Sequence, residues 1–279
     1  MKNYIKFLIS AYSIVWLFLW FAQDVILFPV LKSKLSWDTV NLTPPDWIES
    51  FFINTPDGDK INVWTTYGKS KMLDSGYVAM IFHGNGETVE QKNFLPFFAR
   101  HRVPAFTFDY RGYGNSTGWP SEEKILKDSE LVYQEVVRRT NITPDKTIIL
   151  GNSIGSGPAG YLASKINPHT LIFIAGYSSL KEVVTDNPVY KWFPGVLKFN
   201  FPNSIYLKNL NSKCAILAHG KLDNLIRFRH LDLLNSTVQS ANVSNVILLP
   251  SDTASHNDIY YSVEGLLDSS LAECLKILH

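Results

Sequence analysis

Cysteine is nearly absent from this sequence, which has two cysteines in 279 residues, Cys214 and Cys274. Two cysteines cannot form the disulfide framework of a small secreted domain, and they offer too few thiolates for a cysteine-based zinc cluster. Both classes of protein are therefore excluded. Whether the two cysteines pair with each other is left open by the sequence.

An excess of charge of one sign is absent too, because 26 basic residues stand against 25 acidic ones. Without a basic run the chain has no feature that favours polyanions, and we expect no nucleic-acid partner. Repeats and long low-complexity linkers are also lacking. A content of 46% hydrophobic and 18% charged residues indicates a globular fold. We expect one such domain, as a monomer by default.

One hydrophobic run stands out at the N-terminus, where residues 7–22 carry no charge. With the Lys6 side chain reaching toward the headgroups, the run approaches the roughly 20 residues that cross a hydrocarbon layer ~30 Å thick. The sequence therefore predicts a single-pass membrane anchor over residues 1–24. A first helix that packs on the domain is the alternative.

The residues around this run bear on its processing and orientation. A cleaved signal peptide needs small residues at the cut, and Trp20 occupies the third position back from a cut after Ala22. We expect no cleavage. Two lysines on each side of the run balance each other, so charge does not specify the orientation of the helix in the membrane. We expect the catalytic domain on the exocytoplasmic side.

Residues 25–44, followed by a second proline at position 45, read as a connector, and residues 45–279 as the globular domain. In this domain short apolar runs alternate with amphipathic stretches, a pattern typical of a mostly parallel sheet with helices on both faces. The predicted strands lie near 51–53, 61–66, 77–82, 105–108, 147–150, 171–174, 215–218 and 246–249. The predicted helices cover 91–102, 121–139, a stretch from about 154, 225–235 and the C-terminus. We therefore expect an α/β fold with an eight-stranded sheet.

Ligands of such sheets bind at the carboxyl ends of the strands. The residues that follow the predicted strands are unusually rich in glycine, serine, histidine and aspartate. They read "HGNG" (83–86), "DYRGYG" (109–114), "GNSIG" (151–155), "AGYSS" (175–179), "HGKLD" (219–223) and "PSDTASHND" (250–258). We therefore expect the functional residues at this edge of the sheet.

The stretch "ILGNSIGSGPAG" (149–160) contains a GxSxG motif formed by Gly151, Ser153 and Gly155. The motif is short and proves little alone, but it follows a predicted strand and opens a predicted helix. In that setting a serine sits on a tight turn with its hydroxyl exposed, while flanking glycines relieve crowding. The context predicts Ser153 as a nucleophile.

The same stretch also contains GxGxxG, formed by Gly155, Gly157 and Gly160. A dinucleotide cradle needs its first glycine at the end of the first strand and an acidic residue about 20 positions later. The motif lies in a late unit instead, and residues 161–180 contain neither aspartate nor glutamate. A dinucleotide site is not expected.

A serine nucleophile needs a base and a carboxylate, which follow it in the chain order Ser, Asp, His in this type of fold. Asp223 comes just after the strand "AILAHG" and His256 just after "VILLP", so both should reach the sheet edge of Ser153. We predict these three as the catalytic triad. Weaker candidates are Asp109, His83, Asp232, Asp252 and Asp258.

The oxyanion of an acyl-transfer reaction needs two backbone donors. The N–H of Ile154, directly after the serine, is one candidate, and the loop after the third strand supplies the other, for which we choose Asn85 over Gly84 and Gly86. The His83 side chain is expected to brace this loop. The "DYRGYG" stretch is expected to be a structural turn in which two glycines supply positive φ.

These strand-end motifs, with "DYRGYGNSTG" and "SHNDI" in full, resemble the α/β-hydrolase superfamily, and within it the membrane-anchored α/β-hydrolase-domain serine hydrolases. The resemblance covers roughly residues 45–275. It implies Ser153, Asp223 and His256 as the triad, with Asn85 and Ile154 at the oxyanion positions. Members of that group include depalmitoylating thioesterases and lipases of monoacylglycerols or lysophospholipids. One departure is "SDTASHND", where relatives usually place glycines before the histidine.

Between the sixth and seventh strands, residues 177–213 are rich in aromatic residues and proline. They could form a small lid over an acyl chain or an ordinary crossover packed on the sheet. The aromatic residues are Tyr190, Trp192, Phe193, Phe199, Phe201 and Tyr206. Because the segment has no obvious charged cluster, an uncharged acyl group is the preferred substrate feature.

The sequence thus predicts a serine hydrolase that cleaves carboxylic esters or thioesters through an acyl-enzyme. Its partners would be the acyl substrate and a membrane, and it would need no cofactor and no metal. One alternative is a serine peptidase of the same fold, although no acidic cluster for a free amine stands out. Another is a catalytically silent, membrane-anchored scaffold.

Overall fold

The computed structural model describes residues 2–29, 44–68, 75–90, 93–186 and 195–276. Eight strands form one sheet in the order β1-β2-β4-β3-β5-β6-β7-β8. They are β1 (Glu49–Asn54), β2 (Lys60–Thr65), β3 (Val78–Phe82), β4 (Ala105–Phe108), β5 (Thr147–Asn152), β6 (Thr170–Ile174), β7 (Asn211–Gly220) and β8 (Asn242–Ser251). Strand β2 pairs antiparallel with β1 and β4, and the other pairs are parallel. The predicted eight-stranded, mostly parallel α/β fold is confirmed.

Helices cover both faces of this sheet. The α-helices of the described ranges are α1 (Lys2–Leu27), most of which is exposed and does not cover the sheet, α2 (Phe94–Arg100), α3 (Glu122–Thr140), α4 (Ser156–Ile166), α5 (Leu180–Thr185), α6 (Asn203–Tyr206), α7 (Arg229–Gln239) and α8 (Ile259–Leu275). Strands β7 and β8 extend beyond their predicted ranges at both ends, and two helices differ more from the sequence prediction. Helix α2 is shorter than 91–102, of which residues 91–92 lie outside the described ranges, and α7 begins four residues later than predicted because 225 and 226 donate their N–H groups to a carboxylate.

The alternation of side chains along the central strands divides the core into two layers. Ile149 of β5 belongs to the same buried cluster as Val132 and Val136 of α3 on one face, whereas Ile148 belongs to the cluster of Leu267 of α8 on the other. All five side chains are fully buried. The apolar stripe that predicted α3 therefore faces the sheet, and Ser121 caps the helix by accepting the N–H of residue 124.

The two cysteines pair with each other, which answers a question that the sequence left open. Cys214 of β7 and Cys274 of α8 form a disulfide with a Cα–Cα distance of 5.8 Å and a sequence separation of 60. Closing a loop of that length in the unfolded chain is worth about 4 kcal/mol on the chain-entropy account. The bond ties the C-terminal helix to the sheet.

Helix α1 contains one span, Asn3–Leu27, that is long and apolar enough to cross a membrane. None of its most apolar window is buried in the structure, and Phe7, Phe18 and Phe21 are about two-thirds exposed. Most of the predicted connector, residues 30–43, lies outside the described part of the chain.

The segment between β6 and β7 is partly described. Phe199 and Phe201 are buried in the core beside Tyr177, as expected of a crossover that packs on the sheet. Residues 187–194, which include three of the aromatic residues considered for a lid, lie outside the described ranges.

A buried hydrogen-bonded set ties this segment to α7. The Nδ1 atom of His230 accepts from the backbone N–H of Ser178 at 3.2 Å and lies 3.0 Å from its hydroxyl, while Nε2 lies 3.3 Å from the Asp186 carboxylate. Burial, together with the charge of Arg229, lowers the pKa of His230 to about 4. The imidazole is therefore neutral at pH 7 and joins α7 to the segment after β6.

We predict that the neutral state of His230 makes stability depend on pH. Between the ordinary histidine pKa of 6.5 and about 4, the unfolded chain binds a proton that the folded chain does not, so stability falls as pH falls. Replacing the histidine, as in His230→Gln, should reduce the loss of unfolding free energy between pH 7 and pH 4 by about 3 kcal/mol. Urea unfolding of both proteins across this range measures it, and identical pH profiles would contradict the assignment.

Candidate active site

Ser153 lies on a sharp turn where β5 ends and a short 3-10 helix, Ser153–Gly155, leads into α4. Its backbone is left-handed, with φ of 52°, a conformation that costs a non-glycine residue about 1–3 kcal/mol. A Cβ at Gly151 would lie 2.6 Å from the Cα of Ser156, and one at Gly155 would overlap the Phe82 carbonyl. The GxSxG glycines are thus required by close packing around the strained serine.

The other glycines of the stretch serve helix packing. A Cβ at Gly157 would lie 2.5 Å from the ring of Phe201, and one at Gly160 would overlap the side chain of Asn203. The space that a dinucleotide would need is therefore filled by the segment after β6. Pro158 is accommodated because α4 begins at Ser156, and the first residues of a helix have no intrahelical acceptor for their N–H groups.

The structure brings the three side chains predicted as a triad into one hydrogen-bonded chain. Ser153 Oγ lies 2.9 Å from His256 Nε2, and His256 Nδ1 lies 2.7 Å from Asp223 Oδ2. A carboxylate can only accept, so Nδ1 carries the proton and Nε2 is free to accept from the serine hydroxyl. The imidazole keeps 12% of its side chain exposed, whereas the carboxylate is fully buried.

Asp223 is held by its own loop. Its Oδ1 atom accepts the N–H groups of Leu225 at 2.9 Å and Ile226 at 2.8 Å. Burial alone would raise the pKa of this carboxyl, but the hydrogen bond and charge of His256 and the N–H of Ile226 outweigh it and lower the pKa overall. The group is therefore ionised at neutral pH, as the acceptor of an imidazole proton must be.

His219 is a supporting residue that the sequence reasoning missed. It is fully buried, its Nε2 donates to the Ile226 carbonyl at 2.8 Å, and the same atom lies 3.5 Å from Asp223 Oδ2. Burial lowers the pKa of His219, so it acts as a neutral donor. The signal was present, because this histidine is the first residue of "HGKLD", four positions before the aspartate.

The loop of His256 is held by hydrogen bonds within it and to the loop of Asp223. The carboxylate of Asp258 accepts the backbone N–H and the hydroxyl of Ser255, at 2.5 and 2.7 Å. The Ala254 carbonyl accepts the N–H of Leu222 at 3.0 Å, an approach that a Cβ at Gly220 would block. The loops of the aspartate and the histidine are therefore packed directly on each other.

The loop after β3 is anchored through its carbonyl groups. His83 Nδ1 lies 2.8 Å from the Gly84 carbonyl, and the Tyr113 hydroxyl donates to the Asn85 carbonyl at 2.9 Å. Burial lowers the pKa of His83, so the ring is neutral and Nδ1 is its donor. Because C=O and N–H point in opposite directions across a trans peptide, His83 also sets the direction of the Asn85 N–H.

Glu87 bridges this loop to the turn of Ser153, and the sequence analysis did not identify it. Its Oε2 atom accepts the N–H of Gly84 at 2.6 Å and the side-chain amide of Asn152 at 3.1 Å. The Gly84 N–H is thereby occupied, which favours its neighbour Asn85 as an oxyanion donor. An acidic residue in a surface loop carries no sequence signal for such a bridge.

The "DYRGYG" stretch forms the structural turn that the sequence predicts. Gly112 and Gly114 have positive φ, and the buried carboxylate of Asp109 accepts the N–H of Val89 at 2.9 Å. Tyr113 adds a contact to this role, because its hydroxyl reaches the loop of Asn85. The turn therefore supports the loop of Asn85 through a hydrogen bond from Tyr113.

A cavity of about 230 Å³ opens over the serine. This is smaller than the roughly 300–1,000 Å³ of pockets that enclose drug-sized ligands. Its walls combine backbone, amide and carboxylate groups with a few apolar side chains. They come from Gly84, Asn85, Gly86, Glu87, Asn93, Phe94, Asn152, Ser153, Ile174, His256, Asn257, Ile259 and Tyr260. Within the described ranges, no three histidine, cysteine or acidic side chains are grouped as metal ligands.

Two proteins illustrate what the whole sequence resembles. The chain is 29% identical to human alpha/beta hydrolase domain-containing protein 17B over 206 residues, which cover 72% of this chain and 67% of that protein. It is 24% identical to the uncharacterized protein YfhR of Escherichia coli K12 over 237 residues, covering 78% and 79% of the two chains.

Solved structures share the fold. An esterase from Pyrococcus furiosus superposes with a TM-score of 0.65 at 19% identity, over 85% of this chain and 93% of the esterase. Mouse alpha/beta hydrolase domain-containing protein 10 gives 0.61 at 15% identity, over 83% and 100%. Residues 76–244, more than half of the chain, match the family described as serine aminopeptidase, S33. The protein is therefore a hydrolase-fold member of this S33 family within the α/β-hydrolase superfamily.

Proposed function

We propose that the protein is a serine hydrolase that cleaves carboxylic esters or thioesters with an apolar acyl group. The observation that carries the proposal is the continuous hydrogen-bonded chain from Ser153 through His256 to Asp223, with a cavity over the serine hydroxyl. An imidazole nitrogen 2.9 Å from a serine hydroxyl is the arrangement that converts the hydroxyl into a nucleophile.

In the proposed reaction, Ser153 Oγ attacks the acyl carbonyl while its proton passes to His256 Nε2. The carboxylate of Asp223 stabilises the imidazolium that forms. The bond to the leaving alcohol or thiol then breaks, the leaving group takes the proton from His256, and an acyl-serine remains. Water attacks this ester with the same proton path and releases the acid. The steps use only groups of the chain and water.

Two backbone donors are proposed to stabilise the oxyanion, the N–H groups of Ile154 and Asn85. The first belongs to the 3-10 turn at the start of α4, where N–H groups lack intrahelical partners and the helix dipole favours negative charge. The second belongs to the peptide whose carbonyl is bound by His83. These fixed donors need no reorganisation when charge develops.

The small cavity supports a short acyl chain as the preferred substrate within this proposal. Phe94, Ile174 and Ile259 supply apolar wall, whereas the amides of Asn93 and Asn257 supply polar wall. A chain that outgrows the apolar part would meet these amides, of which Asn93 is half-buried and Asn257 exposed, and would displace their water without replacing its hydrogen bonds.

We predict that Ser153→Ala lowers kcat for short acyl esters by on the order of 10⁶-fold while the fold stays intact. A fluorophosphonate probe should label the wild type and leave this variant unlabelled. The matched control is Ser178→Ala, because that serine also contacts a histidine, His230, but is buried away from the cavity over Ser153. Labelling of Ser153→Ala, or turnover equal to wild type, would reject the nucleophile. A wild type that never labels would favour the scaffold alternative.

Glu87 favours a second candidate function, hydrolysis of amides with a free amino group. The sequence showed no acidic cluster for an amine, but the structure has this carboxylate in the wall of the cavity. A carboxylate near the scissile bond would pair with the ammonium group of an aminoacyl substrate. The description of the matched family as serine aminopeptidase agrees with this alternative.

Substrate pairs separate the two functions. We predict that Glu87→Gln, which keeps an acceptor for the Gly84 N–H, changes kcat/KM for neutral esters little. If the peptidase alternative holds, the variant should lose at least about 30-fold in kcat/KM for aminoacyl anilides, because a desolvated charge pair is worth 2 kcal/mol or more. Wild-type cleavage of aminoacyl anilides with no cleavage of acyl esters would overturn the esterase proposal.

We propose further that α1 is a single-pass membrane anchor and that the domain lies on the exocytoplasmic side. The exposed apolar helix supports the anchor. The disulfide between Cys214 and Cys274 supports the side, because disulfides persist in oxidising compartments and are rare in the cytosol.

The proposed side can be read from glycosylation during membrane insertion. Asn141 is exposed at the end of α3 and begins the acceptor sequence Asn-Ile-Thr. In translation with endoplasmic-reticulum microsomes, we predict that the membrane-inserted chain gains glycans and that Asn141→Gln loses one increment of mass on a gel. An inserted chain without any glycan would contradict the exocytoplasmic orientation.

A further inference from the structure

The last turn of α1 is bonded into the globular domain. The side-chain amide of Gln23 donates to the Val196 carbonyl at 2.8 Å and accepts the N–H of Lys198 at 2.7 Å. Gln23 is 8% exposed, so both ends of a buried amide are satisfied by one short stretch, residues 196–198, of the segment after β6. Such a pair of bonds fixes direction as well as distance.

Two further contacts reinforce this junction. Phe28, directly after α1, is 1% exposed and packs edge-on against the rings of Tyr113 and Phe199, at centroid distances of 6.1 and 5.0 Å. Asp24 pairs with Lys198 at 3.0 Å. Helix α1 therefore leaves the domain in one direction, and a swing would expose Phe28 and break a buried amide pair.

Trp119 stands beside the same turn. Its side chain is 45% exposed, and its Nε1 atom lies 3.5 Å from the Asp24 carboxylate. The ammonium group of Lys198 lies 5.2 Å from the ring of Trp20 and 5.7 Å from that of Phe21. An exposed indole and a lysine thus border the end of the apolar run.

The length of α1 sets the depth of these residues if the helix spans a bilayer. A hydrocarbon layer ~30 Å thick takes up about 20 residues, which places Gln23 and Asp24 at the level of the headgroups. Groups in contact with Asp24 must then lie at the same level. Tryptophan is enriched at that depth, and lysine is attracted to anionic headgroups.

We propose that Trp119, Lys198 and the last turn of α1 form a docking face that rests on the headgroup region of the bilayer. The hydrolase domain would then be held in one orientation rather than suspended on a flexible tether. This inference rests on the proposed anchor function of α1 and adds to it a surface on the catalytic domain. Its partner is a lipid bilayer, and its chemistry is an indole and an ammonium group at the interface.

The docking face connects to the active site through two side chains. Phe28 contacts Tyr113, and the hydroxyl of Tyr113 holds the carbonyl of Asn85 at 2.9 Å. A domain docked in this way keeps the loop of Asn85 at a fixed, short separation from the membrane surface.

Single-thiol labelling tests the docking face in the full chain. Both native cysteines are disulfide-bonded and buried, so Trp119→Cys would present the accessible thiol for an environment-sensitive fluorophore. The control is Leu266→Cys, at a 56% exposed position on α8, which covers the opposite face of the sheet. The labelled proteins are reconstituted in vesicles of phosphatidylcholine with phosphatidylserine, and nitroxide-bearing lipids serve as quenchers.

We expect vesicles to quench the label at position 119 several-fold more than the label at position 266. Lys198→Glu places a like charge beside Asp24 and should reduce this difference in quenching, while the protein still floats with the vesicles. The control Lys208→Glu should leave both the difference and the flotation unchanged. Equal quenching at the two positions in floating protein would overturn the docking face and leave the anchor standing. Protein that does not float would overturn both, whereas neither result depends on esterase activity.

Discussion

The left-handed backbone of Ser153 is the constraint around which the rest of the site is arranged. The strained turn holds the hydroxyl at the carboxyl edge of the sheet, and it exists only because Gly151 and Gly155 admit neighbouring backbone where a Cβ would collide. The ends of β7 and β8 then bring Asp223 and His256 to the same edge. Two loops that are packed on each other hold the imidazole 2.9 Å from the hydroxyl.

Much of the fold could be predicted because its signals are local. Continuous apolar strands such as 147–150, separated by amphipathic helices, specify a covered parallel sheet, and the eight strands were found at the predicted places. The three side chains of the proposed triad could be selected because each comes directly after a strand, in an order that the fold requires. Their catalytic function stays a prediction.

Other features depend on contacts between distant segments, which periodicity does not encode. Glu87 and Tyr113 support the loop of Asn85 through hydrogen bonds that join separate strand ends. The start of α7 is delayed because the preceding N–H groups bind Asp223 instead of continuing a helix. The pairing of Cys214 with Cys274 likewise depends on where α8 packs. Sequence patterns locate the helices and strands, whereas tertiary contacts determine where these elements begin and which groups the residues at their ends bind.

The family match and the site geometry complement each other. Residues 76–244 include Ser153 and Asp223 but end before His256, so the case for this histidine rests on its two hydrogen bonds. Acyl chemistry at this site also requires that Ile154 and Asn85 donate to the same developing charge. The most direct measurement is a crystal structure of the protein after reaction with a fluorophosphonate. We predict phosphorus bonded to Ser153 Oγ, with one phosphoryl oxygen within about 2.7–3.1 Å of both backbone nitrogens. An adduct on another residue, or a phosphoryl oxygen that contacts neither nitrogen, would contradict it.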